Sequence, residues 1–355
     1  MLKRPLFSIC IPAYNRSKYL EALLDSIFSQ NFINYEIVIC EDLSPERDQI
    51  SAIVVKYQTL YPMVIAYCEN EANLGYDGNI RELVKIASGR FCFFMGNDDL
   101  MAEGALANVA RLVSDREDVG MVLKSYAWFE GNPNNIIHSV RYFAEECEFF
   151  AGSQAIHACY RRSGVISGYI VNRDAANEVA TPKFDGSLYY QMHLTAQVLV
   201  SMSAIFTPNI LVLCRSGVPP DFGNSSVERG SYTPGSFTPQ ARLNMVAGAL
   251  AIIQDLKNSR GIDVVKDVMS DYANYFYPFI KDQLKLPIRE YWNLYKNFYC
   301  MGFYKYPMFH AYFLVAYIIG EVQFDWLMNK FQVILGRSMH FGRLKNAGAL
   351  RKTAK

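Results

Sequence analysis

The chain has 355 residues, 51% hydrophobic and only 19% charged, which is the composition of a folded globular protein and excludes a disordered tether. Its formal net charge of +1, from 35 basic and 34 acidic side chains, lacks the basic excess expected of a dedicated nucleic-acid-binding protein. The length exceeds that of one typical domain, so we expect a large catalytic domain with an appended region.

Short apolar runs and helical spacings alternate along the first part of the chain. Apolar runs predict four strands, at residues 7–11, 36–40, 64–67 and 91–95. Helical spacing predicts three helices between them, at residues 20–30, 50–60 and 79–88. The order βαβαβαβ, with nearly continuous apolar strands, predicts an α/β fold with a mostly parallel sheet covered by helices on both faces.

The second part of the chain has weaker patterns. A strand is predicted at residues 120–126, a strand-like segment at 164–172 and a helix at 187–199. Residues 217–239 are rich in proline and glycine, which predicts a long flexible loop that could cover a site. The pattern then becomes helical, and residues 291–313 are rich in aromatic side chains.

The cysteines and the N-terminus indicate a cytoplasmic protein. The eight cysteines include no C-x-x-C pair, and several lie in apolar strand-like runs, which suits small buried hydrophobes in a reducing compartment. Residues 1–5 lead into a strand rather than into a signal peptide. The longest charge-free apolar run, residues 306–320, is shorter than the roughly 20 residues that span a bilayer. No transmembrane helix is therefore predicted.

Polar residues follow four predicted strand ends or adjoining loops, at residues 12–16, 41–42, 73–81 and 96–99. Parallel strands bring these ends to one edge, where a ring, carboxylates and a helix N-terminus suit a nucleotide. Tyr14 is positioned to stack on a base and Asp42 to accept a hydrogen from the base or ribose. Adjacent Asp98 and Asp99 suit a hard divalent cation against a diphosphate. Each feature alone is also typical of an ordinary turn or a packed loop.

The order of these motifs resembles that of family 2 glycosyltransferases of the GT-A fold. Residues 8–16 read SICIPAYNR, residues 41–42 read ED, residues 73–75 read NLG and residues 97–99 read NDD. The last motif is similar to the family's D-x-D motif. The resemblance covers residues 6–125 and is nearest to bacterial members that build O-antigen and capsule, including abequosyltransferase-like proteins.

This resemblance implies an inverting, metal-dependent sugar transfer from a nucleotide-sugar donor to a glycan acceptor, which we expect to be lipid-linked. Asp99 is the implied ligand of a manganese or magnesium ion. Glu41 and Asn97 stand where the family commonly has the first acid of each motif, usually Asp. These two replacements leave open which nucleotide base the donor carries. The implied nucleotide-sugar-binding residues are Pro12, Ala13, Tyr14, Asn15, Arg16, Glu41, Asp42, Asn79, Arg81, Asn97 and Asp98.

An inverting transfer needs a base that takes the proton of the acceptor hydroxyl. The family places an Asp late in the catalytic domain, and Asp185 is the predicted base, with Asp174 and Glu178 as alternatives. The other interpretation is that Asp185 caps the following helix. His193, two turns further on, is interpreted as a metal ligand or, alternatively, as a structural residue.

The predicted domain organisation is a GT-A catalytic domain at residues 1–215, the flexible loop at 216–240 and a helical, aromatic-rich region at 241–355. Within the first, residues 1–125 would bind the nucleotide-sugar and 126–215 the acceptor. The tail after Gly336 carries six basic residues and no acid, which favours peripheral contact with the inner leaflet of the cytoplasmic membrane. A solvated tail is the alternative, and the aromatic segment is also interpreted as a packing surface or a homodimer contact.

The same residues also bear on three other possible functions. Nucleotidyl transfer would need a Gly-rich, Arg-containing phosphate loop after the first strand, where PAYNR stands instead. A dehydrogenase would need G-x-G-x-x-G at that point. The alternative that the chain is a non-catalytic nucleotide-binding or membrane-associated scaffold of the same fold stays open. In that case Glu41 and Asn97 would mark the loss of acidic motif residues.

Overall fold

The computed structural model describes residues 4–335 of the chain. Its first half alternates strands and helices in the predicted βαβαβαβ order. These elements are β1 (Phe7–Ala13), α1 (Ser17–Phe28), β2 (Tyr35–Glu41), α2 (Arg47–Leu60), β3 (Ile65–Glu69), α3 (Gly75–Ile86) and β4 (Phe91–Phe94).

The following segment completes the sheet and adds four helices. Its strands are β5 (Leu100–Met101), β6 (Val119–Phe129), β7 (Ile136–Val140), β8 (Cys147–Phe149), β9 (Tyr169–Asn172) and β10 (Ser203–Arg215). Its helices are α4 (Ala105–Val113), α5 (Ser153–Cys159), α6 (Arg173–Glu178) and α7 (Tyr190–Val198).

One mixed sheet lies at the centre of residues 7–215, with the strand order β3-β2-β1-β4-β9-β6-β10-β5. Strands β3, β2, β1 and β4 are parallel, as predicted, whereas β9 runs antiparallel between β4 and β6. Because of this reversal, the amino end of β9 lies at the same edge as the carboxyl ends of β1, β2 and β4. The sheet therefore gathers residues from before β9 and from after the parallel strands.

The C-terminal region is helical and packs on the sheet domain. It comprises α8 (Pro239–Arg260), α9 (Val265–Ala273), α10 (Tyr277–Ile280), α11 (Ile288–Cys300), α12 (Pro307–Ile319) and α13 (Glu321–Leu335). The Thr238 hydroxyl caps α8 by accepting the Ala241 amide at 3.1 Å, and Pro239 occupies the first helical position. The proposed division into domains at residues 215 and 240 stays a prediction, although β10 and α8 end and begin near these positions.

The aromatic segment at residues 291–313 is largely used for packing within the chain. Four phenylalanines of this segment surround Phe276, which lies earlier in the chain. The centroid of the Phe276 ring is 4.9 to 5.8 Å from those of Phe298, Phe303, Phe309 and Phe313. These side chains are buried, so they form a helical core. This favours the packing interpretation for the inward-facing rings.

Six of the eight cysteines are buried, as predicted for small hydrophobes. Across residues 4–335, no helix combines the length and the apolar character needed to cross a membrane. The basic tail, with Arg337, Arg343, Lys345, Arg351, Lys352 and Lys355, lies outside the described residues.

Candidate active site

A cleft of about 750 Å³, part of it open to solvent, lies at the edge of the sheet where β1, β2 and β4 end. Tyr14 follows β1, Asp42 follows β2, and Asp98 and Asp99 lie in the loop after β4. The structure thus brings together side chains that are far apart in sequence. The predicted site residues that line the cleft are Pro12, Tyr14, Arg16, Asp42, Asn79, Asn97, Asp98 and Asp99.

The two adjacent carboxylates at the cleft have different partners. Asp98 Oδ2 accepts a hydrogen bond from Arg16 Nη1 at 3.1 Å. Asp99 accepts the Arg215 amide on Oδ1 at 2.7 Å and the Ser167 hydroxyl on Oδ2. Burial, followed by the charge of Asp98, raises the pKa of Asp99 to about 7. The positive charge beside this pair of carboxylates is therefore smaller than the negative charge that the two carboxylates carry when ionised.

Asp42 organises the loop that leads into α3. Its carboxylate accepts the Leu74 and Gly75 amides, both at 2.9 Å, and the Asn70 side-chain amide at 2.7 Å. Burial raises the pKa of Asp42 to about 6 against the lowering effect of these hydrogen bonds. Helix α3 begins at Gly75 rather than at the predicted Asn79, because a carboxylate from a distant strand caps its first turn.

The N-terminus of α3, which the sequence analysis groups with the features that suit a nucleotide, is capped by protein carboxylates. Asp42 takes the Gly75 amide, and Glu228 takes the Tyr76 amide at 2.7 Å. Gly75 has a φ of 76°, and a Cβ there would lie 2.5 Å from Ser225 Oγ and 2.8 Å from Glu228 Oε1. Only glycine allows this backbone conformation and this close approach.

The loop after β1 is held in an unusual conformation. Asn15 and Arg16 have φ values of 51° and 63°, which non-glycine residues rarely adopt. Asn15 Nδ2 donates to Asp221 at 2.7 Å, and Arg16 Nη2 donates to the Pro219 carbonyl at 2.6 Å. The half-buried Tyr14 has a raised pKa because of burial and the nearby carboxylates of Asp221 and Asp42.

Four predicted nucleotide-binding residues, Ala13, Asn15, Glu41 and Arg81, lie outside the cleft lining, and the side chains of Ala13 and Glu41 are completely buried. Glu41 pairs with Arg47 and accepts the Ser44 amide at 2.7 Å, which fixes the turn before α2. The prediction that the side chains of Ala13 and Glu41 contact the nucleotide is therefore corrected: strand alternation and the local turn direct both inward.

Two asparagines of the predicted set serve both the cleft and the backbone. Asn79 Nδ2 donates to the Cys40 carbonyl at 3.1 Å, and Asn97 Nδ2 donates to the Asn15 carbonyl at 2.8 Å. The first bond joins α3 to the end of β2 and the second joins the loops that follow β4 and β1, so each amide fixes the shape of the cleft wall that it lines.

The predicted base, Asp185, forms an ion pair with Arg81 beside the cleft. Neither residue lines the cleft, although Asp185 Oδ2 is 4.0 Å from where a Cβ on Gly78 of α3 would lie. The alternative interpretation of Asp185 as a helix cap is wrong, because α7 begins at Tyr190. The role of Asp185 as base stays a prediction.

A carboxylate that sequence reasoning missed, Asp77, occupies the capping position. It accepts the amides of Leu188 and Tyr190, both at 2.9 Å, and burial raises its pKa to about 7. Asp77 belongs to α3, more than a hundred residues away in sequence. No local pattern in the sequence indicates this contact.

The alternative acids and His193 lie elsewhere. Asn172 pairs with Phe91 at the start of β4, so Asp174 and Glu178 in α6 lie at the sheet edge opposite the cleft. Asp174 pairs there with Arg4 at 2.7 Å. His193 Nε2 contacts the Val179 carbonyl at 2.9 Å, and the ring packs against Phe184, which fits the structural interpretation.

A loop that follows β10 covers the cleft. This covering loop, residues 216–238, runs from the end of β10 to α8. Glu228 is buried and holds the loop closed by accepting the Tyr76 amide of α3 and the Gly223 amide at 2.8 Å. Proline and glycine content indicated the loop but not which of its side chains face the cleft. The cleft residues that the sequence interpretation missed are Ile166, Ser167, Asp221, Phe222, Asn224 and Glu228.

Comparison with known sequences finds a family model that matches the first half of the chain. Residues 8–181 match the family model of glycosyl transferase family 2. Abequosyltransferase RfbV of Salmonella typhimurium is 36% identical over 114 residues, which are 32% of this chain and 34% of that protein. Poly(ribitol-phosphate) beta-N-acetylglucosaminyltransferase TarS of Staphylococcus aureus is 31% identical over 121 residues, 33% of this chain and 20% of that protein. The matched regions thus span about a third or less of these relatives.

Comparison with solved structures identifies the fold. The structure of S. aureus TarS 1-349 has a TM-score of 0.57 at 16% identity, covering 82% of this chain and 79% of that one. GalNAc-T7 with UDP, GalNAc and Mn2+ has a TM-score of 0.53 at 12% identity, covering 78% and 58%. The fold is therefore the GT-A fold of glycosyltransferases, and the chain carries, at residues 8–181, a domain of glycosyl transferase family 2.

Proposed function

We propose that the chain is an inverting glycosyltransferase that moves a sugar from a nucleotide-sugar donor to a glycan acceptor in the synthesis of a bacterial surface polysaccharide. The observation that carries this proposal is the convergence of Tyr14, Asp42, Asp98 and Asp99 on one cleft at the carboxyl ends of parallel strands. The names of the relatives, an abequosyltransferase and a teichoic acid enzyme among them, support the reaction class and the kind of product.

In this proposal the donor lies along the cleft from β1 to β4. Tyr14 stacks on the base, the free lone pairs of Asp42 accept a hydrogen from it, and Asp98 contacts the ribose or the donor sugar. Arg16 places a guanidinium beside Asp98 within the cleft, where the negative charge of the leaving diphosphate develops. The covering loop excludes water from the reacting centre.

The acid pair fits a divalent cation. Hard cations are commonly held by one or two protein carboxylates together with substrate phosphates, so Asp98 and Asp99 are sufficient protein ligands. Among residues 4–335 no cluster of three or more such ligands occurs, so the phosphates of the donor would complete the shell. Burial, followed by the charge of Asp98, raises the pKa of Asp99, and a cation beside the pair would favour its ionised form. A bound manganese or magnesium ion would stabilise the departing diphosphate.

The chain's own acid–base chemistry would concern the acceptor hydroxyl. Its oxygen attacks the anomeric carbon as the bond from that carbon to the diphosphate oxygen breaks, which inverts the configuration. The hydroxyl proton passes to a carboxylate on the acceptor side, which we assign to Asp185 once a bound acceptor separates it from Arg81.

A donor screen tests the proposal directly. Full-length protein is incubated with manganese, a panel of nucleotide-sugars and glycan acceptors, and release of the nucleotide diphosphate is measured. We expect one donor to give acceptor-dependent release, and UDP or GDP with manganese to raise the Tm. Nucleotide binding with no turnover for any pair would instead favour the non-catalytic scaffold.

We further propose that the protein binds the inner leaflet of the cytoplasmic membrane, where a lipid-linked acceptor would lie. Apolar side chains on α12 and α13 are exposed: Ile318 is 78% and Val322 76% accessible. Exposed apolar side chains and a basic tail together are typical of interfacial binding.

This membrane proposal predicts reversible sedimentation with vesicles of anionic lipid. Deleting residues 337–355 should weaken it, and so should salt, because exposed charges are screened within about 8 Å at physiological ionic strength. Transfer to a small soluble acceptor should persist in the truncated protein. If the full chain does not sediment with anionic vesicles even at low salt, the exposed apolar face is better explained as a homodimer contact.

A further inference from the structure

A second cavity, of about 560 Å³ including space open to solvent, lies between the sheet domain and the C-terminal helices. Arg161 and Arg162, in a short 3₁₀ turn after α5, line it together with residues of α7, α8 and α9. Gly164 and Val165 line this cavity, while the next two residues, Ile166 and Ser167, line the donor cleft. The two cavities are therefore neighbours along one segment of backbone.

The charges at this cavity do not balance. The buried Arg161 and Arg162 both bond to one carboxylate, that of Asp271: Arg161 Nε at 2.8 Å and Arg162 Nη1 at 3.0 Å. Within residues 4–335, the cavity lining contains no carboxylate. Two guanidinium groups and one carboxylate leave a net charge of +1 in a buried place, which proteins avoid unless something compensates it.

The hydrogen bonds show that one N–H group of this cluster has no partner. Arg162 Nε is buried and has no hydrogen-bond partner among the described residues. Burial lowers the pKa of Arg162, whereas for Arg161 the effect of Asp271 outweighs that of burial and the pKa is raised. Two guanidinium groups thus share the single carboxylate of Asp271, with which Arg162 also bonds through Nη2 at 3.2 Å, and Arg162 keeps one buried N–H without a partner.

The remaining wall of the cavity is aromatic. Five tyrosine rings line it, and the Arg161 guanidinium lies 4.1 Å from the centroid of one of them, Tyr275. Gly164, Val165 and Tyr275 are only partly buried, so the cavity is accessible beside them. Aromatic rings and a buried positive charge together suit a sugar that carries an anionic group. The tyrosines that line it are Tyr126, Tyr142, Tyr189, Tyr272 and Tyr275.

We propose that this cavity is an acceptor subsite that binds a sugar unit bearing a singly charged oxyanion, either a carboxylate or a phosphodiester. The net charge of +1 matches one negative charge, and the position next to Ile166 and Ser167 places the unit beside the donor cleft. This inference rests on the proposed function, because the bound sugar is part of the acceptor.

Binding of small anionic sugars to the full chain tests this subsite. The probes are methyl glucuronide, a methyl phosphodiester of glucose, and neutral methyl glucoside as control, each titrated calorimetrically to millimolar concentrations. We expect one of the two anionic probes to bind the wild type more tightly than methyl glucoside. Which probe binds distinguishes a uronate-containing acceptor from a phosphodiester-containing one.

Substitutions of Arg162 then separate charge from packing. Arg162→Gln removes one of the two guanidinium charges but keeps an amide donor for the Ala158 carbonyl, which Arg162 Nη1 contacts at 3.1 Å. It should weaken binding of the anionic probe by roughly tenfold or more, while the matched Arg162→Lys retains most of it. Affinity for methyl glucoside should not change. Equal anion affinity in the wild type and Arg162→Gln would overturn the proposal.

A competition experiment on the wild type decides the matter even if Arg162→Gln does not fold. The anionic probe is titrated in the presence of saturating UDP or GDP with manganese. We expect unchanged probe affinity, since the cavity and the donor cleft are separate. Displacement of the probe, or no binding of either anion to the wild type, overturns the subsite. If no nucleotide binds or turns over while the anion still binds through Arg162, the proposed function fails and the anion site stands.

Discussion

Asp99→Asn should reduce the turnover number by roughly 10³-fold or more, because it removes a charge that the departing diphosphate and its cation need. The fold should persist. An asparagine Oδ1 can still accept the Arg215 amide, and the Ser167 hydroxyl can accept from the new amide group. Since burial raises the pKa of Asp99, a neutral residue there should leave the Tm unchanged or higher.

Two measurements check this result: steady-state rates with the identified donor, and the manganese dependence of nucleotide binding, which should disappear. Asp115→Asn, an exposed acid without an ion pair among residues 4–335, is the matched control and should behave as the wild type. Turnover of Asp99→Asn close to that of the wild type, in buffer treated with a chelator, would refute the metal assignment.

Asp185→Asn should lower the rate of transfer by roughly 10²-fold or more with little change in donor affinity. The substitution keeps the size of the side chain but cannot accept the proton of the acceptor hydroxyl. Comparing kcat and KM for donor and acceptor separates this effect from a loss of binding. Arg81→Lys is the control for the ion pair: it keeps a cation beside Asp185, so it should cost far less than Asp185→Asn.

Asp221 is the competing candidate for the base, because its carboxylate lies in the cleft itself. In the described structure it accepts from Asn15 Nδ2 and belongs to the covering loop. Near-normal turnover of Asp185→Asn, together with a large loss in Asp221→Asn, would transfer the role to Asp221.

The nucleotide side of the site was predictable because it depends on local patterns. Each apolar strand ends in its polar residues, and parallel topology brings these ends together whatever the details of the loops. Tyr14, Asp42, Asp98 and Asp99 were found in this way. The reversal of β9 could not be predicted, because its four buried residues, three of them apolar, give no indication of strand direction.

The contacts between distant segments could not be predicted. Glu228 and Asp77 cap backbone amides of elements that lie 152 and more than a hundred residues away in sequence, and such partners leave no periodic signal. The inward direction of Glu41 was missed because an acidic residue at a strand end is usually read as a ligand. Arg47, only six residues on, supplies its counter-charge.

The covering loop is attached at both of its ends to groups that would handle the donor. Arg215, the last residue of β10, directly precedes the loop; its amide donates to Asp99 and its Nε donates to the Asp98 carbonyl at 2.9 Å. Glu228, within the loop, accepts the Tyr76 amide at the start of α3. Moving this loop away from the cleft would therefore break the contact of Glu228 with Tyr76, whereas the contact of Glu228 with Gly223 lies within the loop. If the cleft binds the donor as proposed, we expect release of the nucleotide to require this opening, so that the donor binds before the loop closes and the nucleotide is the last product to leave.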